Sequence, residues 1–333
     1  MFAGKVVALL VIVMMFIASN MVIGLVTRSR IAATRNNYKI MRYMSNNAAG
    51  DDIIIKSETN NKVKLLKALN IKKKREENNM VLLEGHRQII DAINLGIKPH
   101  IILLSEKATQ APLGEKLVNT LLLHKLKYDY CSDIIMNSIS DTITSQGIVA
   151  AFDKPKQFQL TELKSNTSPL LLVLDRIADP GNIGTIIRSA YGLGVDGIIA
   201  IEGCDPYAPK VLRSAMGLSL KVPIAEVSNW NDVNSILETS KINNFHVYFA
   251  EIPTDENSCL SLYNSKLNFQ SPTIVAIGSE AIGIHSDVAI VKNNTKLKCQ
   301  NIHIPMKRNL ESFNAAIAGS IILGEINRKR NES

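Results

Sequence analysis

From Leu170 onward, short uninterrupted apolar runs alternate with segments of helical period. Leu170–Leu174 is apolar at every position. A strand with one face in water alternates, whereas a parallel strand covered by helices on both faces is apolar throughout. Gly197–Ile201, Val222–Val227, His246–Ile252, Thr273–Ile277 and Asn301–Ile304 read as further strands. Ile183–Tyr191, Pro209–Leu218, Val233–Ser240 and Phe313–Asn327 read as helices between or after them. The fold class over residues 169–330 is therefore α/β with a parallel sheet. Sheets of this kind bind ligands outside the C-terminal ends of their strands, so the chemistry is to be sought in the loops that follow them.

A smaller α/β unit precedes this domain, over residues 61–153. Val63–Leu69 has a helix signal, Ile71–Asn79 is a charged stretch, and Met80–Glu84 reads as a strand. A helix over His86–Leu95 stops at Gly96, and strands follow at His100–Ser105 and Gly147–Phe152. Polar segments at 51–60 and 154–168 suit linkers. The first 50 residues read as a targeting segment. Val6–Val26 is an apolar run of 21 residues, Arg28, Arg30, Arg35, Lys39 and Arg42 follow it, and no acidic residue precedes Asp51. An acid-free, arginine-bearing leader fits a mitochondrial presequence and a matrix location. Its length also fits a membrane anchor, with bilayer contact through residues 6–26, or one half of a two-part plastid signal. The tripeptide acceptors at Asn166, Asn293 and Asn331 are too common to indicate secretion.

The net charge of +8 favours an anionic partner, RNA, DNA or an anionic membrane. Seven basic residues fall between Lys62 and Arg75, and within them Lys72, Lys73, Lys74 and Arg75 are contiguous. Such a run is ordinarily a solvated face. Cys131, Cys204, Cys259 and Cys299 lie far apart without CxxC spacing, and no histidine pair has HxxxH spacing. A zinc site and a disulfide framework are not expected, and no metal is.

Gly192, Gly194 and Gly197 match GxGxxG literally. A dinucleotide fingerprint needs a strand before and a helix after; here the order is reversed, so these glycines end a helix and turn the chain. Three other stretches combine strand ends with polar loops. In Leu174–Ala190 a strand ends at Asp175, Pro180-Gly181-Asn182 follows, and Arg188 falls about one turn into the next helix, within reach of an anion or ribose. In Ile274–Ile284 a strand runs into Gly278, Ser279 and Glu280. In Ile302–Ile326 a strand ends at Ile304-Pro305-Met306, and a helix beginning near Glu311-Ser312 carries Ser312 and Asn314 in its first turn. Each alone is explained by turn and capping chemistry. Three such loops at one sheet edge point to a shared site.

These residues resemble the SpoU/TrmH family of SPOUT RNA methyltransferases. Its first motif is matched by Asp179-Pro180-Gly181-Asn182-Ile183-Gly184-Thr185 through Ile187-Arg188-Ser189-Ala190. The second is matched by Gly278-Ser279-Glu280 with Gly283, and the third by Ile304-Pro305-Met306 with Ser312-Phe313-Asn314. Lys210–Gly217 is similar to the stretch between the first two. In the N-terminal unit, Met80–Arg87 and Ser140-Asp141-Thr142 through Gly147 resemble signatures of the family's L30e-like substrate module. Phe313 stands where leucine is usual, and Lys307-Arg308 where glycine is common. The resemblance implies a trefoil-knotted C-terminal domain and S-adenosylmethionine as cofactor. Cofactor contacts are then expected at Ile277, Gly278, Ile304, Met306 and Phe313. Catalytic roles fall to Arg188, Asn182, Glu280, Ser312 and Asn314. The implied reaction is 2′-O-methylation of RNA ribose, with the overall layout most similar to mitochondrial ribosomal-RNA guanosine methyltransferases, and the implied assembly is a homodimer. Lys72, Lys73, Lys74, Arg75 and Arg87 are then the expected RNA contacts. A transfer-RNA methyltransferase and an inactive RNA-binding assembly factor use the same fold and stay open on sequence.

Overall fold

The computed structural model describes residues 54–163, 168–255, 258–307 and 311–332. The apolar segment Val6–Val26 and the basic stretch behind it lie outside the described residues, as do Lys164, Ser165 and Arg308. Among the described residues no helix is long and apolar enough to cross a membrane.

Helix α1 (Asn61–Ala68) starts where the Asn60 side chain accepts the Lys62 amide. The charged stretch after it is also helical: α2 (Lys72–Asn78) ends at Asn79, which adopts the left-handed conformation with φ 51°. Then come β1 (Met80–Glu84), α3 (His86–Asn94), β2 (Pro99–Leu104), α4 (Glu106–Gln110), α5 (Gly114–Leu123), β3 (Asp129–Tyr130), α6 (Asp133–Ile139) and β4 (Ile148–Asp153). The strands form one sheet in the order β1-β4-β2-β3, in which only the β2–β3 pair is parallel.

The second sheet has seven strands. In chain order they are β5 (Leu170–Asp175), β6 (Gly197–Ile201), β7 (Ile224–Val227), β8 (His246–Ala250), β9 (Leu260–Ser261), β10 (Thr273–Gly278) and β11 (Lys298–His303). Their order in the sheet is β7-β6-β5-β10-β8-β11-β9, all parallel. The strand β10 thus returns to lie between β5 and β8, which precede it in the chain. Every residue of β5 is buried. Leu170, Leu172 and Leu174 pack on one face with helix α7 (Pro180–Gly192) and the C-terminal helix, while Leu171 and Val173 pack on the other with Trp230 and Val233 of helix α9 (Trp230–Thr239). That double cover is the reason for the unbroken apolar run.

Helix α7 begins three residues before the periodic pattern predicts. Asp179 caps it by accepting the Asn182 amide at 2.8 Å, and Pro180 occupies the first helical position. There the missing proline N–H costs nothing, so Pro-Gly-Asn is a helix start and not a free turn. Between α7 and α9 lies the short helix α8 (Pro209–Ser214). Leu212 joins the core of the N-terminal sheet, together with Tyr207 and Leu220, whereas Val211 and Ala215 join the core of the seven-stranded sheet. One helix is therefore shared by both cores. After α10 (Ala289–Lys292), the C-terminal helix α11 spans Ala315–Asn331.

Candidate active site

The C-terminal ends of β8, β10 and β11 open onto a cavity of about 480 Å³. Its volume lies in the range of small-molecule sites. Ile277, Gly278, Ile304, Met306 and Phe313, all expected at a cofactor site, line it, as do Glu280 and Ser312. Apolar walls come also from Ala315, Ala318 and Ile322 of α11. A further wall, Ala250–Pro253 after β8, is absent from the sequence-based expectation. The apolar pattern carries that strand to Ile252, but it ends at Ala250, so the residues at its expected tip form its loop.

Gly278 is needed where it stands. A Cβ there would lie 2.1 Å from the backbone carbonyl of Gly283. The chain folds back at once, with reciprocal backbone hydrogen bonds between Ser279 and Gly283 at 3.2 and 2.8 Å. Gly283 itself has φ 71°, a conformation that favours glycine. The resulting small loop presents Glu280 toward two other segments. Asn182 Nδ2 donates to Glu280 Oε1, Asn314 Nδ2 donates to the same oxygen at 3.4 Å, and the Ala315 amide does so at 3.3 Å. Asn314 Nδ2 also donates to Asn182 Oδ1 at 2.9 Å. Asn182, Glu280 and Asn314, from three separate segments of the chain, are thus one hydrogen-bonded cluster.

Asn314 has a second task that corrects the sequence expectation. It is the N-cap of α11, its Oδ1 accepting the amides of Ala316 and Ile317, so the helix starts at Ala315 and Ser312 precedes it. The helix start follows the residue whose side chain satisfies the free amides, and Asn314 outcompetes Ser312 for that place. Arg188 also departs from expectation. Because α7 begins at Pro180, Arg188 is more than two turns into the helix; it is exposed and its side chain makes no hydrogen bond or ion pair among the described residues. The structure does not bring it into the Asn182–Glu280–Asn314 cluster or onto the cavity wall within one chain.

Beside the cavity the loop is anchored by a group that sequence reasoning passes over. Asp175, the polar end of β5, is fully buried. Its Oδ2 accepts the His285 amide at 2.7 Å and Trp230 Nε1 at 2.9 Å, and its Oδ1 accepts from Arg176 at 2.8 Å. Arg176 also binds Asp287, which accepts from His285 Nδ1 at 2.6 Å. Burial alone would raise the Asp287 pKa, but hydrogen bonds from Arg176, His285 and the Trp230 amide hold it below the usual carboxylate value. The one signal in the sequence is a lone acid closing an apolar run.

The basic residues divide. Lys72, Lys73, Lys74 and Arg87 are exposed. Lys72 pairs with Glu226 at 3.4 Å and Lys74 with Glu77 at 2.6 Å. Arg75 is a correction: it is 3% exposed, donates to the Leu69 carbonyl and pairs with Asp205 at 2.5 Å. Its guanidinium joins the two domains and is not available to RNA. In the N-terminal unit the two signature stretches meet. Buried Glu84 accepts from Ser140 Oγ, from the Asp141 amide at 3.1 Å and from Thr142 Oγ1 at 2.6 Å.

Comparison with known proteins bears on this geometry. Residues 169–324 match the model of the SpoU rRNA Methylase family, and residues 60–150 match the MRM3-like substrate binding domain. The chain is 30% identical to the mitochondrial rRNA methyltransferase 3A of Danio rerio, over 77% of this chain and 65% of that protein. It thus spans just under two thirds of that relative's length. An uncharacterized tRNA/rRNA methyltransferase of Synechocystis is 31% identical over 83% of this chain and 94% of its own length. The 23S rRNA guanosine 2′-O-methyltransferase of Bacillus subtilis is 28% identical over 81% of this chain and 97% of its own. Among solved structures, the AdoMet-bound rRNA methyltransferase of Sinorhizobium meliloti superposes with a TM-score of 0.66 at 25% identity, covering 83% of this chain and 98% of that one. With its motifs, both of its domains and its full-length relatives in agreement, this chain belongs to the SpoU rRNA methylase family.

Proposed function

We propose that the protein transfers a methyl group from S-adenosylmethionine to a ribose 2′-hydroxyl of RNA, with a guanosine of organellar large-subunit ribosomal RNA as the target. The observation that carries this reading is the convergence of Asn182, Glu280 and Asn314 beside a cavity lined by Gly278, Ile304 and Phe313. The names of the relatives support the substrate class, and the mitochondrial relative together with the arginine-bearing leader supports a mitochondrial location.

The cavity suits the cofactor chemically. Ile277, Ile304, Phe313 and Ile322 offer apolar surface to a purine and to a methyl-bearing sulfur. The backbone of 278–284 offers donors and acceptors to the purine edge and ribose, and Glu280 adds negative charge to the wall, whereas Glu251 is paired with Lys292 at 2.8 Å. When bound, S-adenosylmethionine supplies an electrophilic methyl group. The chain's own residues must align the ribose oxygen with it and assist loss of a proton. Glu280 holds the amides of Asn182 and Asn314 in one orientation, so each presents fixed polar atoms to a ribose at the cavity mouth. Ser312, at the same wall, supplies a further hydroxyl. Arginine stays protonated at neutral pH, so Arg188, which stands away from the cluster of its own chain, acts electrostatically at the site of a second copy, binding the phosphate beside the target ribose and lowering the hydroxyl pKa.

The face that carries Arg188 supports a homodimer. Tyr191 and Ile317 are exposed on α7 and α11, which touch through Ser189 and Ser320 at 2.8 Å. Pairing two copies through this face would cover both side chains.

Full-length protein incubated with tritiated S-adenosylmethionine and undermethylated RNA, taken from cells depleted of it, tests the reading. Label released as a 2′-O-methylated nucleoside supports it. Calorimetry without cofactor binding would instead favour an inactive assembly factor, and label in transfer RNA alone would replace the ribosomal target.

A further inference from the structure

The two domains are joined by more than a linker. Helix α8 buries Leu212 in one core and Val211 in the other. At its end, Gly217 has φ 76° and lies against Leu83 and Gln88 of the N-terminal unit. Next to this contact, Arg213 Nη2 donates to Asp141 Oδ2 at 2.7 Å. Asp141 belongs to the loop that Glu84 holds by three hydrogen bonds. The hydroxyl of the following residue in α8, Ser214, lies 3.0 Å from the carbonyl of Pro180, which shares its one proton with the Lys210 and Val211 carbonyls of α8, and Pro180 stands two residues before Asn182. Closeness there is strict: a Cβ on Gly184 would lie 1.9 Å from Ser214 Oγ. A continuous path thus runs from Glu84 through Asp141, Arg213 and Ser214 to the Asn182 segment. At the tip of the same loop, Ile143 is fully exposed.

We propose that Arg213 is a positioning residue: by holding Asp141 it fixes the Asp141–Thr144 loop, and RNA lying against it, at a set distance from the Asn182 cluster. The proposal rests on the reading of the protein as an RNA methyltransferase. The arrangement of groups favours Arg213 over the lysine run for this role, because Arg213 is attached both to the N-terminal loop and, through its neighbour, to the catalytic segment. A loop set by a charge pair between domains moves when the pair is broken, whereas the cofactor cavity, built from β8, β10 and β11, does not depend on it.

The test uses full-length Arg213→Gln, Asp141→Asn and the reciprocal Arg213→Asp/Asp141→Arg. Undermethylated total RNA and tritiated S-adenosylmethionine are the probes. Each single variant should raise KM for RNA by about three- to fivefold, the scale of a partly exposed ion pair, with cofactor Kd within twofold. Backbone amides of residues 140–144 should exchange faster in both singles, and the reciprocal variant should recover most of both effects. Unchanged KM with faster exchange would show a bridge that positions nothing and overturn the proposal. Unchanged exchange would overturn it by showing no bridge in solution. Equal loss of RNA affinity, cofactor affinity and melting temperature without recovery would make Arg213 merely structural, which also overturns it. If the unaltered protein transfers no methyl group, the functional reading fails instead. Filter-binding Kd for the same RNA then replaces KM and decides for or against Arg213.

Discussion

Replacing Asp175 by asparagine should loosen the cofactor loop from its root. Asp175 is fully buried and receives three donors: the His285 amide, Trp230 Nε1 and the Arg176 guanidinium. An asparagine side chain has one acceptor oxygen. If that oxygen keeps the His285 and Trp230 donors, its NH₂ group faces Arg176, donor against donor. If it turns round, two buried N–H groups lose their partner. Leaving a buried donor unsatisfied costs about 1–3 kcal/mol. The neutral side chain also gives up the stronger bonds that a carboxylate makes. We expect a loss of about 2–4 kcal/mol, a large part of an ordinary domain's stability. Trp230 is the only tryptophan in the chain, so its emission reports this site directly. Urea unfolding followed at Trp230 should show the lower midpoint, with a red shift already present in the folded baseline. Calorimetry should find cofactor affinity reduced by about tenfold or more, because His285 closes the loop that lines the cavity. A loss below about 0.5 kcal/mol, with cofactor Kd within twofold, would refute the anchoring argument, since a change that small is typical of an unconnected surface site.

Arg188→Ala should lower methyl transfer by about a hundredfold or more while leaving cofactor affinity within a few-fold, read by single-turnover assay and calorimetry; normal turnover would remove Arg188 from the reaction. Neutralising Lys72, Lys73 and Lys74 together should weaken RNA binding and flatten its dependence on salt, by about 0.7–0.9 in log–log slope for each phosphate no longer neutralised. An unchanged slope would assign these lysines to solvent. For Asp287, whose pKa is lowered in the folded protein, the stabilising contribution is present above the unfolded carboxylate value and disappears as pH falls through the lower folded value. Urea midpoints taken from neutral pH into this acid range should fall for the unaltered protein and fall less for Asp287→Asn; parallel curves would show that the ion pair contributes nothing.

Much of this fold is legible in the sequence because a doubly covered strand writes itself plainly. Leu170–Leu174 and Gly197–Ile201 are apolar throughout, and both lie in strands buried along their length. Helix starts are harder, since the start is decided by which side chain caps it. Asp179 and Asn314 cap α7 and α11, and neither is marked by apolar period. Three polar strand-end loops foreshadow the Asn182–Glu280–Asn314 cluster, but its internal bonding depends on pairings across 98 and 132 residues of chain. Arg75 shows the limit from the other side. Within a run of four basic residues nothing local distinguishes the one that turns inward; Asp205, far along the chain, selects it.

The helix common to both cores has a bearing on how the molecule tolerates damage. Cutting the chain between the sheets would leave this helix with the seven-stranded half, baring Tyr207, Leu212 and Leu220 there and the N-terminal core residues that they cover. The two sheets should therefore melt together, and a destabilising change in either is felt in both.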